Sequence, residues 1–181
     1  MLKKTILHLS LAAAMMTTAA IASAAGSAST NVGVSATVAQ SCSIGSPVAI
    51  AFGAYDPVGT NATTALNATG SFSVTCSKGA SGLTVGIGAG LSPVGAQRQM
   101  KGTLLGLLNY NLTQPPTNAA GAVCTFPGTV PWTETGAGLL TLTAAPSKVA
   151  RVYNVCGTIP AGQDVIVDPS YADTVSVTLN F

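Results

Sequence analysis

Few residues of this chain could do chemistry, and their spacing narrows the options further. The four cysteines, Cys42, Cys76, Cys124 and Cys156, stand more than thirty residues apart. A metal site draws on close ligand pairs such as C-x-x-C, so this spacing favours disulfides. Four cysteines allow three pairings, and sequence alone does not choose among them. Cys42–Cys76 and Cys124–Cys156 are favoured because each joins neighbouring segments. The one histidine, His8, sits in an N-terminal leader, so the rest of the chain holds no Ser-His-Asp or Cys-His arrangement. Asp164, Asp168 and Asp173 are near enough in sequence to raise glycoside hydrolysis by a carboxylate pair. Beside Pro169 and Tyr171 they read better as turn and cap residues. Gly86-Ile87-Gly88-Ala89-Gly90 lacks the G-x-G-x-x-G spacing of a phosphate loop and no helix follows, so it reads as a softened strand end. No motif supports a Ser–Lys dyad on Lys78, Lys101 or Lys148. Tyr55, Tyr110, Trp132, Tyr153 and Tyr171 would stack on sugars if exposed, but in a chain only 5% aromatic they read as core or corner residues. The sequons at Asn61, Asn67 and Asn111 are expected by chance in so Asn- and Thr-rich a composition. Neither an enzyme nor a cofactor is expected.

Charge leads away from nucleic acid and membrane partners. Lys3 and Lys4, an apolar stretch from Ile6 to Ile21 and Ala22-Ser23-Ala24 read as an export signal with its cleavage site, over residues 1–25. Thr5, His8, Ser10, Thr17 and Thr18 interrupt that stretch, which is short for a span, and no later segment approaches ~20 apolar residues. The remainder, about 156 residues, is one domain by length. Its bases are Lys78, Arg98, Lys101, Lys148 and Arg151, and its acids Asp56, Glu134, Asp164, Asp168 and Asp173, a formal charge of zero. No basic patch offers itself to nucleic acid or anionic lipid. So few charges, with much Ala, Gly, Thr, Ser and Val, suit a subunit packed against copies of itself.

The elements that must carry these residues are strands. Thr, Val and Ser dominate, and Gly and Pro recur every ten or so residues, the rhythm of a sandwich or barrel. Strands are expected at 31–39, 42–52, 69–77, 82–90, 104–113, 137–144, 148–156 and 172–181. The stretch 114–132, with four prolines, is barred from a central strand. In the last strand Val175, Val177, Leu179 and Phe181 share one face, and Thr174, Ser176, Thr178 and Asn180 the other. That strand runs to the last residue, whose aromatic ring and α-carboxylate are offered to a partner. Near the start of the exported chain Val32, Val34, Ala36 and Val38 share a face in the same way. An apolar strand at each end of a small β domain points to strand exchange between copies, hence to a polymer. Residues 26–40 read as a mobile donor segment and 41–181 as the domain.

Several motifs in order resemble the spore coat protein U domain family, the fold of archaic chaperone–usher pilus subunits. They are Cys42, Phe52-Gly53-x-Tyr55-Asp56, Val74-Thr75-Cys76 and Leu108-Asn109-Tyr110-Asn111-Leu112. After them come Gly157-x-Ile159-Pro160-Ala161-Gly162-Gln163-Asp164, Tyr171-x-Asp173-Thr174 and a strand closing on Phe181. The likeness departs at Pro169-Ser170, where the family usually carries glycine before the tyrosine, and in the extra Cys124–Cys156 pair. It implies an all-β, incomplete immunoglobulin-like sandwich lacking its seventh strand, with a disulfide from first strand to second, matching Cys42–Cys76. It further implies completion by a donated strand: first from a periplasmic chaperone, then, at an outer-membrane usher, from Val32–Val38 of the next copy or a related pilin. Val175, Val177, Leu179 and Phe181 would form the acceptor edge. The implied setting is a cell-surface pilus reached through the periplasm, serving attachment and biofilm formation. A spore or cyst coat protein of the same fold and a carbohydrate-binding tip adhesin are the alternatives.

Overall fold

A computed structural model describes residues 26–181, so the expected export signal lies outside the described residues. The chain divides after Thr37 into two units. In the first, residues 26–37 form no strand and every side chain is exposed. The strand expected at 31–39 is therefore not formed. Its alternation describes a face and supplies no hydrogen-bonding partner.

The second unit, Val38–Phe181, is antiparallel throughout and carries nine strands. They are β1 (Cys42–Val48), β2 (Leu66–Cys76), β3 (Thr84–Ile87), β4 (Arg98–Gly102), β5 (Leu107–Thr113), β6 (Leu140–Thr141), β7 (Arg151–Ile159), β8 (Tyr171–Ala172) and β9 (Val177–Asn180). One sheet has the order β1-β2-β7-β5-β4-β8 and the other β6-β3-β9. Among the described residues helix is confined to two short 3-10 turns, Thr60–Ala62 and Gly136–Gly138, and none is long and apolar enough to cross a membrane. The fold is an all-β sandwich of the incomplete immunoglobulin type.

β2 is the spine of the larger sheet, and its sequence says why. Gly70, Phe72, Val74 and Cys76 are buried while the residues between them are only partly covered, the alternation of a strand with one core face. Phe72 stacks on Tyr153 at 5.9 Å and meets Trp132 edge-on at 6.2 Å. Val85 and Ile87 close the core from the smaller sheet.

Several expected strands differ in extent. The ladder of β1 ends at Val48 and slips register between Gly45 and Val48, where Ser46 has φ 47°. The expected 137–144 strand shrinks to Leu140–Thr141, 82–90 to Thr84–Ile87, and 104–113 begins at Leu107. β2 starts earlier than expected, at Leu66, and β7 runs on to Ile159. β4 is an addition: Arg98-Gln99-Met100-Lys101-Gly102 has no apolar alternation to announce it. The expected 172–181 strand is two, with β8 bonded to β4 and β9 bonded to β3.

Both disulfides join segments that the sheet brings together. Cys42 and Cys76 stand directly opposite in the β1–β2 ladder and are bonded, and Cys124 is bonded to Cys156. β5 covers β7 only from Cys156 to Thr158, and the 114–132 stretch lies along the rest. Gly121 N donates to Val152 O at 2.8 Å and Asn154 Nδ2 to Ala122 O at 2.8 Å. Each bridge closes a loop of 34 or 32 residues. In the loop-entropy account each is worth about 3.5–4 kcal/mol. Non-reducing peptide mapping should return these two pairs, and reduction should lower the melting temperature by well over 10 °C. A cross-pairing between the two sets would contradict the connectivity.

Candidate functional site

The sandwich is open along one side, and the opening is bounded by two strand edges. β1 bonds only β2, and β9 bonds only β3. Between them runs an apolar cleft of about 400 Å³. Pro47, Val48, Ile50 and Phe52 form one wall, Val175 and Val177 the other, and Phe72, Ile87, Leu112 and Val155 the floor. A second cavity of about 540 Å³ shares Ile50, Phe52, Met100 and Tyr171 with it and extends toward Val165 and Ile166. The two adjoin through these shared residues, the first mainly apolar and the second also lined by Asp168 and Ser170.

Two glycines make the first wall. After β1 the chain crosses the inner face of the larger sheet, over Gly70 of β2 and Gly157 of β7. A Cβ on Gly70 would lie 2.5 Å from Ile50 Cγ1, and one on Gly157 would lie 2.7 Å from Ile50 Cγ2 and 2.8 Å from Phe52. Only the missing side chains let Ile50 and Phe52 in. Beyond Phe52 the chain is tied down: Tyr55 OH donates to Pro160 O at 2.9 Å and accepts from Gln163 N at 3.0 Å. The Gln163 side-chain amide pairs with Asn109 as a strand backbone would, accepting from its N at 2.8 Å and donating to its O at 3.0 Å. Three motifs far apart in sequence thus form one knot at this end of the groove.

The second wall is β9. Val175, Val177 and Leu179 are half-buried against the core, while Thr174, Ser176, Thr178 and Asn180 are exposed. Phe181 lies beyond β9 and is 58% exposed. β9 is held on one side by β3, from Ile87–Val177 to Thr84–Asn180, and by Gly88 N donating to Ser176 O at 2.9 Å. Among the described residues no strand lies beside its other edge. A sheet edge over an apolar groove is a template for an added strand.

A polar cluster fixes where the last strand changes sheets. Tyr110 OH donates to Asp173 Oδ2 at 2.5 Å, and Asp173 Oδ1 accepts from Leu91 N and Thr174 N at 2.8 Å. These bonds draw the chain out of the ladder between β8 and β9. Arg98 is buried nearby, its guanidinium donating to Gly88 O, Ile87 O and Trp132 O, each at 2.9 Å. Burial pulls the Arg98 pKa down, partly opposed by Tyr110, Asp173 and Glu134. Burial, reinforced by the bond to Asp173, pushes the Tyr110 phenol far above its ordinary range.

Of the carboxylates considered for catalysis, Asp168 and Asp173 accept hydrogen bonds that fix turns, and Asp164 is exposed. Asp168 accepts from Thr103 Oγ1 at 2.8 Å, Leu104 N at 2.6 Å and Ser170 N at 2.9 Å. Desolvation raises its pKa, but these bonds outweigh it and hold the group below the usual carboxylate value. Of the four residues expected on the apolar face of the last strand, Val175, Val177 and Leu179 are half-buried and Phe181 is exposed. Sequence reasoning missed Ile50, Phe52 and Arg98: the first two continue a strand pattern into unpaired backbone, and no sequence signal marks a buried arginine.

The residues expected to act as a donor sit differently from the wall. Val32 is 82%, Val34 93% and Val38 86% exposed, Ala36 is exposed, and none lies in a strand. Three valines on one face, uncovered, are an apolar strip without a partner among the described residues. A model of the family described as Spore Coat Protein U domain matches residues 28–178 of the chain. No curated protein matches it.

Proposed function

The chain belongs to the Spore Coat Protein U domain family, and on that premise we propose that it is a structural pilus subunit assembled by donor-strand exchange. The groove between β1 and β9 receives residues 32–38 of the next copy. The observation that carries this reading is the pairing of complementary absences: a groove with two free strand edges and an exposed alternating segment with no ladder. Val32, Val34, Ala36 and Val38 would fill the groove while the backbone pairs with β9. Burial is worth roughly 1.5–3 kcal/mol for each valine and less for the alanine. Each ladder bond adds roughly 0.5–1.5 kcal/mol. Dissociation of such a contact is very slow.

Donor and acceptor are different surfaces of one chain, so the contact is heterologous and propagates as a filament. Before assembly the open groove needs a cover, which a periplasmic chaperone would supply as a strand of its own. An outer-membrane usher would then exchange that strand for the next subunit's. The subunit is accordingly exported through the periplasm to the cell surface, where filaments serve attachment and biofilm formation. The same fold in a spore or cyst coat is the second reading, favoured by the family description itself.

Immunogold electron microscopy with an antibody to the domain separates the two. Label along thin filaments is the expected result. Label confined to a continuous coat would favour the second reading.

A further inference from the structure

We infer that consecutive copies also dock end to end, the basic end of one domain against the acidic, aliphatic end of the next. This rests on the donor-strand reading and adds a second contact to it. The domain has two chemically distinct ends, set by the direction of β2, whose eleven residues separate them by roughly 35 Å.

At the Cys76 end lie Lys78 and Lys148, both exposed, with Arg151 at the start of β7 opposite Val74. The donor segment leaves the body here, and Val38, Cys42, Lys78 and Lys148 line one shallow surface depression. At the Leu66 end lie Asp56, Asp164 and Asp168, on the loops after β1 and after β7. The acidic end also holds one opposing charge, Lys101. Among these side chains the basic end carries a net charge of +3 and the acidic end one of −2.

The acidic end is also apolar. Leu104 and Leu105, in the β4–β5 turn, are 62% and 73% exposed, and Ile166 and Val167 beside them 49% and 94%. They are braced from beneath. Asp168 holds Thr103 and Leu104, and Tyr171 OH donates to Ile166 O at 2.8 Å. Leu105 keeps a left-handed φ of 65°, which β-carbon contacts disfavour in a leucine. A surface of large aliphatics held in fixed turns is more than one domain's solubility calls for.

The exit of the donor segment is equally fixed. The Gln40 side-chain amide donates to Ser81 O at 3.1 Å and accepts from Ser81 N at 3.2 Å. Ser77 Oγ donates to Ala39 O and accepts from Ser41 N. Residues 39–41 are thus clasped to the basic end. A donor lying antiparallel to β9 brings its own domain's basic end to the recipient's acidic end. A parallel donor would set two basic ends together. Charge therefore selects the antiparallel arrangement and steers the encounter.

The test uses the exported full-length chain and the rate at which detergent-resistant ladders appear. At about 0.01 M salt, where screening acts over about 30 Å, Lys78→Glu with Lys148→Glu should slow ladder formation about tenfold. At about 1 M salt the difference should close, because charges then act over about 3 Å. Asp164→Lys alone should also slow it at low salt, and adding it to the lysine pair should recover much of the rate. Asp164 is exposed, so this arm holds even if the lysine pair loses stability. Ladders that form at one rate in every variant and at every salt would overturn the end contact and leave strand exchange standing. A wild-type chain that never forms ladders would overturn both.

Discussion

Removing residues 26–38 should abolish filament growth while leaving a protein that a strand-donating partner still captures. The deletion takes away Val32, Val34, Ala36 and Val38 and touches neither wall of the groove, which Ile50, Phe52, Val175 and Val177 form. The Cys42–Cys76 bridge and the Ser77 N to Ser41 O bond, 2.8 Å, remain to hold the start of β1. Full-length protein should run as heat-sensitive ladders on a mild-detergent gel, and the truncated protein as a single band. Ladders that persist in the truncated protein would remove the donor role from this segment.

Replacing Val177 with Asp attacks the other partner. Val177 faces the groove and packs against the core from β9, opposite Ile87. An added strand would seal a carboxylate at this position away from water, at a cost of several kcal/mol beyond the lost valine contacts. The subunit should be degraded in the periplasm and absent from filaments. Thr178→Asp is the control, because Thr178 points to solvent from the same strand. It should accumulate and assemble normally. Normal assembly of the Val177 variant would contradict the groove as acceptor.

What the sequence made legible is burial, and what it hid is partnership. Alternation in 66–76 and 175–179 marks the inward face faithfully, because a side chain's period of two is a local property. The same alternation at 32–38 is accompanied by no ladder among the described residues. The single strand expected over residues 172–181 is likewise divided, because the chain there leaves β4 for β3 at Asp173. Hydrogen-bonding partners come from other segments, which a face pattern cannot name.

The groove wall shows the same division. Val175, Val177 and Leu179 were readable because they alternate with polar residues. Ile50 and Phe52 sit in the groove because Gly70 and Gly157, on two other strands, leave them room. β4 was invisible for a further reason. Its one buried side chain is that of Arg98, whose charge is tolerated only because three carbonyls from two distant segments converge on it.

The most direct test of the central claim is the thermal stability of the truncated domain, residues 39–181, with and without a synthetic peptide of residues 29–40. A ligand that binds only the folded state raises apparent stability, by about 2.7 kcal/mol at one hundred times its dissociation constant. That should appear as a melting temperature higher by several degrees, and a peptide with Val34→Asp should give no rise. If the truncated domain melts at the same temperature with and without the peptide, the groove does not receive this segment and the domain is a self-contained sandwich.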